Sequence, residues 1–132
     1  MVLVASNIFF DLWARDPLWR PWSTEQMRRL STQNDLAINP VIYAEVSVRF
    51  SAQATLDERL ADLDLHVLDI AREAAFLAGK AFVEYRRQGG SKHNVLPDFL
   101  IGAHAQTLGC PLLTRDTRKY STYFPAVPLI AP

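Results

Sequence analysis

The sequence predicts an α/β fold: a short parallel sheet of four to five strands with helices on both faces, in three layers, α/β/α. Two observations predict it. Several apolar runs are too short to be helices and too uniformly apolar to be solvent-facing ribbons, so they read as strands buried on both sides. Each is separated from the next by a stretch with helical spacing, which implies right-handed crossovers and strand C-termini gathered along one rim.

The first strand is Val2 to Ala5. Ser6 and Asn7 are turn or capping types, and Ile8, Phe9, Leu12 and Trp13 then follow a helical spacing that ends by Asp16-Pro17. Ser23 to Thr32 predicts a second helix, with Ser23 as cap and Gln26 completing a capping box. Leu36 to Ile38 is the second strand; Asn39 caps and Pro40 opens a third helix that runs into Phe50. Thr55 to Asp64 is amphipathic, with Leu56, Leu60 and Leu63 inward, and leads into a strand at His66 to Leu68. Asp69 to Arg87 gives the longest helical pattern, closed by Gly89-Gly90. Pro97 opens a helix that stops at Gly109 and Pro111, and an inner strand, Leu112 to Thr114, follows. Val127 to Ile130 reads as an edge strand, because Pro125, Pro128 and Pro132 are tolerated there and not in a sheet centre.

At 132 residues, 49% of them hydrophobic, the sequence predicts one domain, residues 1–132, with a single substantial core. Fourteen basic residues balance fourteen acidic ones, so no global field draws the chain to a polyanion and any such partner needs a local patch. One cysteine, Cys110, excludes an internal disulfide and a thiolate-built metal site. No signal peptide or membrane span is visible, and the expectation is a soluble, cytoplasmic chain.

Two carboxylates stand at the ends of predicted elements, and a third lies within a predicted helix. Asp98 is in the first turn of a helix and Asp116 lies just past a strand. Taken singly, the first can be a dipole-complementing residue and the second a turn residue. Glu45 sits inside the apolar run VIYAEVSV, where a charge is costly unless it has a partner. It either pairs with Arg49 on a solvated face or serves as a metal ligand. All three can face the rim that carries Ala5-Ser6-Asn7, and clustered carboxylates call for a hard divalent cation. Zinc is disfavoured, since His66, His93 and His104 lack ligand spacing.

Four segments, VLVASNIFFDLW, PVIYAEVSVRF, LPDFLIGAHAQTLG and LLTRDTRKYSTYFPAVPLI, in this order and spacing, resemble the PIN-domain nucleases, specifically the VapC-type toxins of bacterial toxin–antitoxin pairs. The resemblance spans nearly the whole chain. It implies a metal-dependent endoribonuclease with Mg²⁺ or Mn²⁺ bound by carboxylates, RNA as substrate, homodimers, and inhibition by a VapB-type antitoxin. It assigns Asp98 as a principal metal ligand, Glu45 as ligand or water-orienting base, and Asp116 as a further ligand, with Ser6 and Asn7 supporting the rim.

One departure matters: where the family carries an aspartate before the Ser/Thr-Asn pair, this chain has Ala5. A metal-ligand position is vacated, so the chain as written is expected to be inactive or severely impaired, through an engineered change or as a natural non-catalytic form. Candidate phosphate contacts are Arg86, Arg87, Lys92, Arg115, Arg118 and Lys119, each also readable as ordinary solvated charge. The aromatic group Phe9, Phe10, Trp13, Trp19 and Trp22 is read as mostly core, its remainder as lining for an antitoxin groove. A phosphoacceptor receiver domain fits poorly, lacking an acidic pair after the first strand and a lysine after the last. A non-catalytic module that binds antitoxin or RNA is the other alternative.

Overall fold

The computed structural model describes residues 1–92 and 94–132; His93, named above among the histidines without ligand spacing, lies outside the described residues. The elements run β1 (Val2–Val4), α1 (Ser6–Trp13), α2 (Arg20–Ser31), β2 (Leu36–Ile38), α3 (Pro40–Ser47), α4 (Gln53–Asp62), β3 (Leu65–Val67), α5 (Arg72–Arg87), α6 (Leu96–Leu108), β4 (Leu112–Leu113), α7 (Arg118–Tyr123) and β5 (Leu129–Ile130). All strand pairs are parallel, in the order β3-β2-β1-β4-β5. This is the predicted five-strand α/β architecture.

The order has a functional consequence. From β1 the chain winds outward through β2 to β3, then returns to β1's other side to place β4 and β5. The point of reversal lies between β1 and β4, paired through Leu3 with Leu112 and Val4 with Leu113. In open parallel sheets such a reversal, at the C-terminal ends of the strands, is where sites are built.

Burial follows strand position. Every residue of β1, β2 and β4 is buried, whereas β3 and β5, at the two edges, are partly exposed. Edge placement of β5 is what its flanking prolines require. Ile8, Phe9, Ile42, Val46, Phe99 and Ile101 close the core from the helices. Gly102 on α6 serves a close approach, because a Cβ at that position would collide with the ring of Phe124, which ends α7. The two helices bearing Asp98 and Lys119 are thereby held together.

Several local expectations shift. The second helix begins at Arg20, with Pro21 in its first turn, and not at Ser23. Ser23 is fully buried and donates to Asp11 at 2.6 Å, so its hydroxyl serves a tertiary bond instead of a cap. The third helix ends at Ser47, short of Phe50, and the third strand is Leu65–Val67, one residue earlier than predicted. Helix α7 was not foreseen; six residues with mixed polarity carry too little periodicity to signal a helix. Among the described residues no helix is long and apolar enough to cross a membrane.

Candidate acidic site at the switch point of the sheet

The rim at the end of β1 starts with Ala5, buried, with extended backbone angles at the N-cap position of α1 and no side-chain cap. Ser6 follows as the first residue of α1 and donates from Oγ to Glu45 Oε1 at 3.1 Å. Asn7 stitches this turn to the end of β4: its Nδ2 donates to Thr114 Oγ1 at 3.3 Å and its Oδ1 accepts from the Arg115 backbone N–H at 3.3 Å. The two loops at the switch point are thus cross-linked by side chains that are more than a hundred residues apart in sequence.

Glu45 comes from α3, whose start is fixed by the Asn39 cap: Oδ1 accepts from the Ile42 N–H at 2.9 Å. Pro40 sets the following backbone angle. Glu45 lies on the same stripe as buried Ile42 and Val46, which carries it inward. It does not pair with Arg49, whose guanidinium lies over the Phe10 ring at 5.2 Å. Burial pushes the Glu45 carboxyl above the usual carboxylate range, the Ser6 hydrogen bond draws it partly back, and the charge of Asp98 pushes it up further.

The cap residue Asn39 also ties α3 to α6. With Oδ1 committed to Ile42, its Nδ2 faces His104 Nδ1 at 3.0 Å, so that ring nitrogen is the acceptor and the neutral imidazole carries its proton on Nε2. Burial depresses the His104 pKa, consistent with a neutral ring. Asp98 is on the same helix, in its first turn beside Pro97, where a carboxylate complements the helix dipole. Its Oδ2 accepts from Lys119 Nζ at 2.8 Å.

Asp116 emerges from β4 through a tight turn. Buried Thr114 accepts from the Asp116 backbone N–H at 3.0 Å, and Asp116 Oδ1 caps the Arg118 N–H at 3.2 Å. The exposed Asp116 carboxylate contributes, behind Asp98, to holding the Lys119 ammonium charged. Sequence reasoning missed one residue that feels the charge of all three acids. Tyr120 is buried, and its phenol is pushed far above the usual range by that burial and then by Asp98, Asp116 and Glu45.

A carboxylate also escaped notice. Asp11 in IFFDLW is buried and accepts a two-pronged bond from Arg115, Nε to Oδ2 at 2.7 Å and Nη2 to Oδ1 at 2.8 Å, plus the Ser23 hydroxyl. The argument that singled out Glu45, a charge inside an apolar run, applied equally to Asp11. Arg115, expected among the phosphate contacts, has its fork committed to Asp11 and its guanidinium 5.1 Å from the Trp19 ring centroid. Of the other candidate contacts, Arg87 is paired with Glu84, Arg86 lies over Phe82, and both are exposed at the end of α5. Lys92 and Arg118 are exposed, and neither pairs with a carboxylate among the described residues.

The donor chemistry suits a hard divalent cation, being all carboxylate oxygen without thiolate or imidazole. The set is incomplete. Ser6 engages Glu45, Lys119 engages Asp98, position 5 offers no side-chain oxygen, and among the described residues no three acidic, histidine or cysteine side chains draw together as a metal cage.

Comparison with solved structures gives the same fold at low sequence identity. VapBC2 from Rickettsia felis, solved bound to a DNA fragment from its promoter, matches with TM-score 0.74 and 21% identity, covering 99% of this chain and 98% of that one. FitAcB from Neisseria gonorrhoeae matches with TM-score 0.74 and 18% identity over 100% and 98% of the two chains. VapBC-1 from nontypeable Haemophilus influenzae gives 0.72 and 20%, over 99% and 98%. No curated protein matches significantly in sequence. The PIN domain family model matches residues 2–125, nearly the entire chain and every element that carries an acid of the site, and the chain belongs to the PIN domain family.

Proposed function

We propose that the chain is a VapC-type endoribonuclease toxin whose acidic site works with Mg²⁺ or Mn²⁺, and that Ala5 leaves it inactive or severely impaired. PIN domains are nucleases as a family, and the fold neighbours are toxin–antitoxin complexes. The observation that carries the reading is the bonding at the switch point of the parallel sheet, where Ser6, next to Ala5, holds Glu45 and Asn7 is tied to the end of β4 that leads to Asp116.

Asp98 and Asp116 would hold the cation with Glu45, and an aspartate at position 5 would complete the set. When bound, the cation supplies an activated water and charge stabilisation at phosphorus. The chain's own residues do the rest. Ser6 fixes the Glu45 carboxyl, and burial raises its proton affinity, which suits a group that takes a proton from attacking water. Lys119 offers an ammonium for the charge that develops on the phosphate oxygens. Asn7, Thr114 and the pair Asp11–Arg115 hold the two loops at fixed spacing.

A VapB-like antitoxin, an RNA substrate drawn to Arg86, Arg87, Lys92, Arg118 and Lys119, a homodimeric state and a cytoplasmic location complete the proposal. The test is restoration: Ala5→Asp should gain Mn²⁺-dependent RNA cleavage that EDTA abolishes and that Asp98→Asn removes again. If Ala5→Asp cuts no RNA from a structured panel, the nuclease reading fails for this chain. A non-catalytic module is then the better reading, one that Lys119 on Asp98 also favours, because the ammonium already neutralises the acid.

A further inference from the structure

Two buried polar side chains stand apart from the bonds of the acidic site, yet each sits on a helix that delivers one of its acids. Asn39, fully buried, caps α3, which carries Glu45; His104, also buried, belongs to α6, which carries Asp98. A pair of leucines would fill such a place at less risk, because a buried polar group is costly unless it is bonded. What the polar pair adds is direction. Apolar packing is indifferent to small slides, whereas a hydrogen bond prescribes a distance and an angle.

The bond is also locked in one sense. Asn39 Oδ1 accepts from the Ile42 N–H at 2.9 Å and its backbone carbonyl accepts from the Tyr43 N–H at 2.9 Å, so the first turn of α3 is fixed on this residue. Turning the amide over would set two donors face to face at Ile42, which leaves Nδ2 to donate to His104 Nδ1 at 3.0 Å. From this bond six positions lead along α3 to Glu45 and six along α6 to Asp98, about 9 Å of helix rise in each. The far ends come close enough for the charge of Asp98 to act on Glu45. A tilt of about 6° at the bond displaces a group about 9 Å away by about 1 Å, and a misplacement of that size costs on the order of a hundredfold in rate.

We propose that Asn39 and His104 are positioning residues of the acidic site, their bond holding α3 against α6 and thereby setting the spacing between Glu45 and Asp98. The consequence for cleavage rests on the nuclease reading above, whereas the spacing is a property of the chain as it stands.

Two substitutions of His104 separate the bond from the packing. His104→Phe keeps a buried ring and loses the acceptor; His104→Asn is smaller but returns a carbonyl oxygen close to the place of Nδ1. Packing alone favours the phenylalanine, the bond favours the asparagine. On the other side Asn39→Ser keeps a capping oxygen and loses the amide donor, and it decides the matter if His104→Phe does not fold. In the chain as it stands, NMR of the ring nitrogens should find Nδ1 of His104 bare and Nε2 protonated. At one fixed pH the carboxyl-carbon signals of Glu45 and Asp98 should move in His104→Phe and Asn39→Ser and return toward the parent in His104→Asn. In the Ala5→Asp background, Mn²⁺ affinity by paramagnetic resonance should fall about tenfold in the first two variants, as for groups that orient metal ligands, and recover in the third. The kcat for RNA should fall with it while KM holds. Carboxyl signals and Mn²⁺ affinity that stay at the parent values in both His104→Phe and Asn39→Ser overturn the proposal, as does a protonated Nδ1, or an asparagine variant further from the parent than the phenylalanine one. If Ala5→Asp never cleaves RNA while the carboxyl signals follow the expected order, the nuclease reading falls and the positioning stands; if Ala5→Asp cleaves with a kcat indifferent to both residues, the reverse holds.

Discussion

Lys119 Nζ lies 2.8 Å from Asp98 Oδ2, joining α7 to the first turn of α6 and setting an ammonium within the influence of Asp116 as well. Both side chains are only about a quarter exposed, 26% and 27%, so the pair is less screened than an ordinary surface bridge. It occupies an oxygen that the proposed cation would need.

Lys119→Met should therefore change two things in opposite directions. Loss of the ion pair should lower stability by about 1 kcal/mol in urea unfolding at neutral pH. In the Ala5→Asp background the same change should tighten Mn²⁺ binding, followed by Mn²⁺ paramagnetic resonance, because Asp98 no longer shares its charge. Weaker Mn²⁺ binding in the double variant would show that Lys119 positions the acids instead of competing for them.

Position 5 is an N-cap without a capping side chain. Ala5→Asn should supply the cap and stabilise the chain by about 1 kcal/mol whether or not metal is present. Ala5→Asp gains the cap but adds a negative charge near Glu45 and Asp98, so its stability should rise on Mn²⁺ addition while that of the parent does not. Thermal unfolding with and without Mn²⁺ separates charge from capping, and equal metal response in the parent would remove Ala5 from the account.

Glu45 gives a pH signature with a definite sign. Its folded pKa is raised above 4.5, chiefly by burial, so the folded chain holds that proton more tightly than the unfolded chain. The contribution to stability is full below 4.5 and is lost as pH rises through the folded value. Glu45→Gln should consequently be more stable than the parent at neutral pH, and the advantage should shrink as pH falls toward 4.5, read from urea midpoints. A variant less stable than the parent at neutrality would mean that the Ser6 bond outweighs the burial of charge.

Breaking the Asp11–Arg115 pair should be costly. Asp11 is 1% exposed and bonded to two donors of Arg115 and one of Ser23, so Arg115→Ala strands a buried carboxylate at a cost of about 3 kcal/mol. Arg115→Lys should recover only part, since an ammonium cannot make the two-pronged contact. Chemical denaturation of both variants checks it; a loss within the surface range, below about 1 kcal/mol, would show that the pair is not a structural clamp.

Local chemistry was legible wherever one or two residues dictate a backbone state. Gly109 adopts the left-handed angle, φ 66°, that stops α6; Pro97 and Pro40 open helices; Asn39 caps α3. Short apolar runs marked the five strands and, with the intervening helices, the parallel class. Helix α7 and the true start of α2 were not legible, because packing and not periodicity holds them.

The sequence by itself determined which segments are strands and helices, where Asp98 and Asp116 stand on them, and that Glu45 needs a partner. Only the tertiary structure decided which partner each polar group takes: Ser6 for Glu45, Lys119 for Asp98 and Arg115 for Asp11. The physical reason is range. Backbone preferences and hydrophobic period act over a few neighbouring residues, whereas these bonds join groups 21 to 104 positions apart and exist only once the sheet and its helices have packed together.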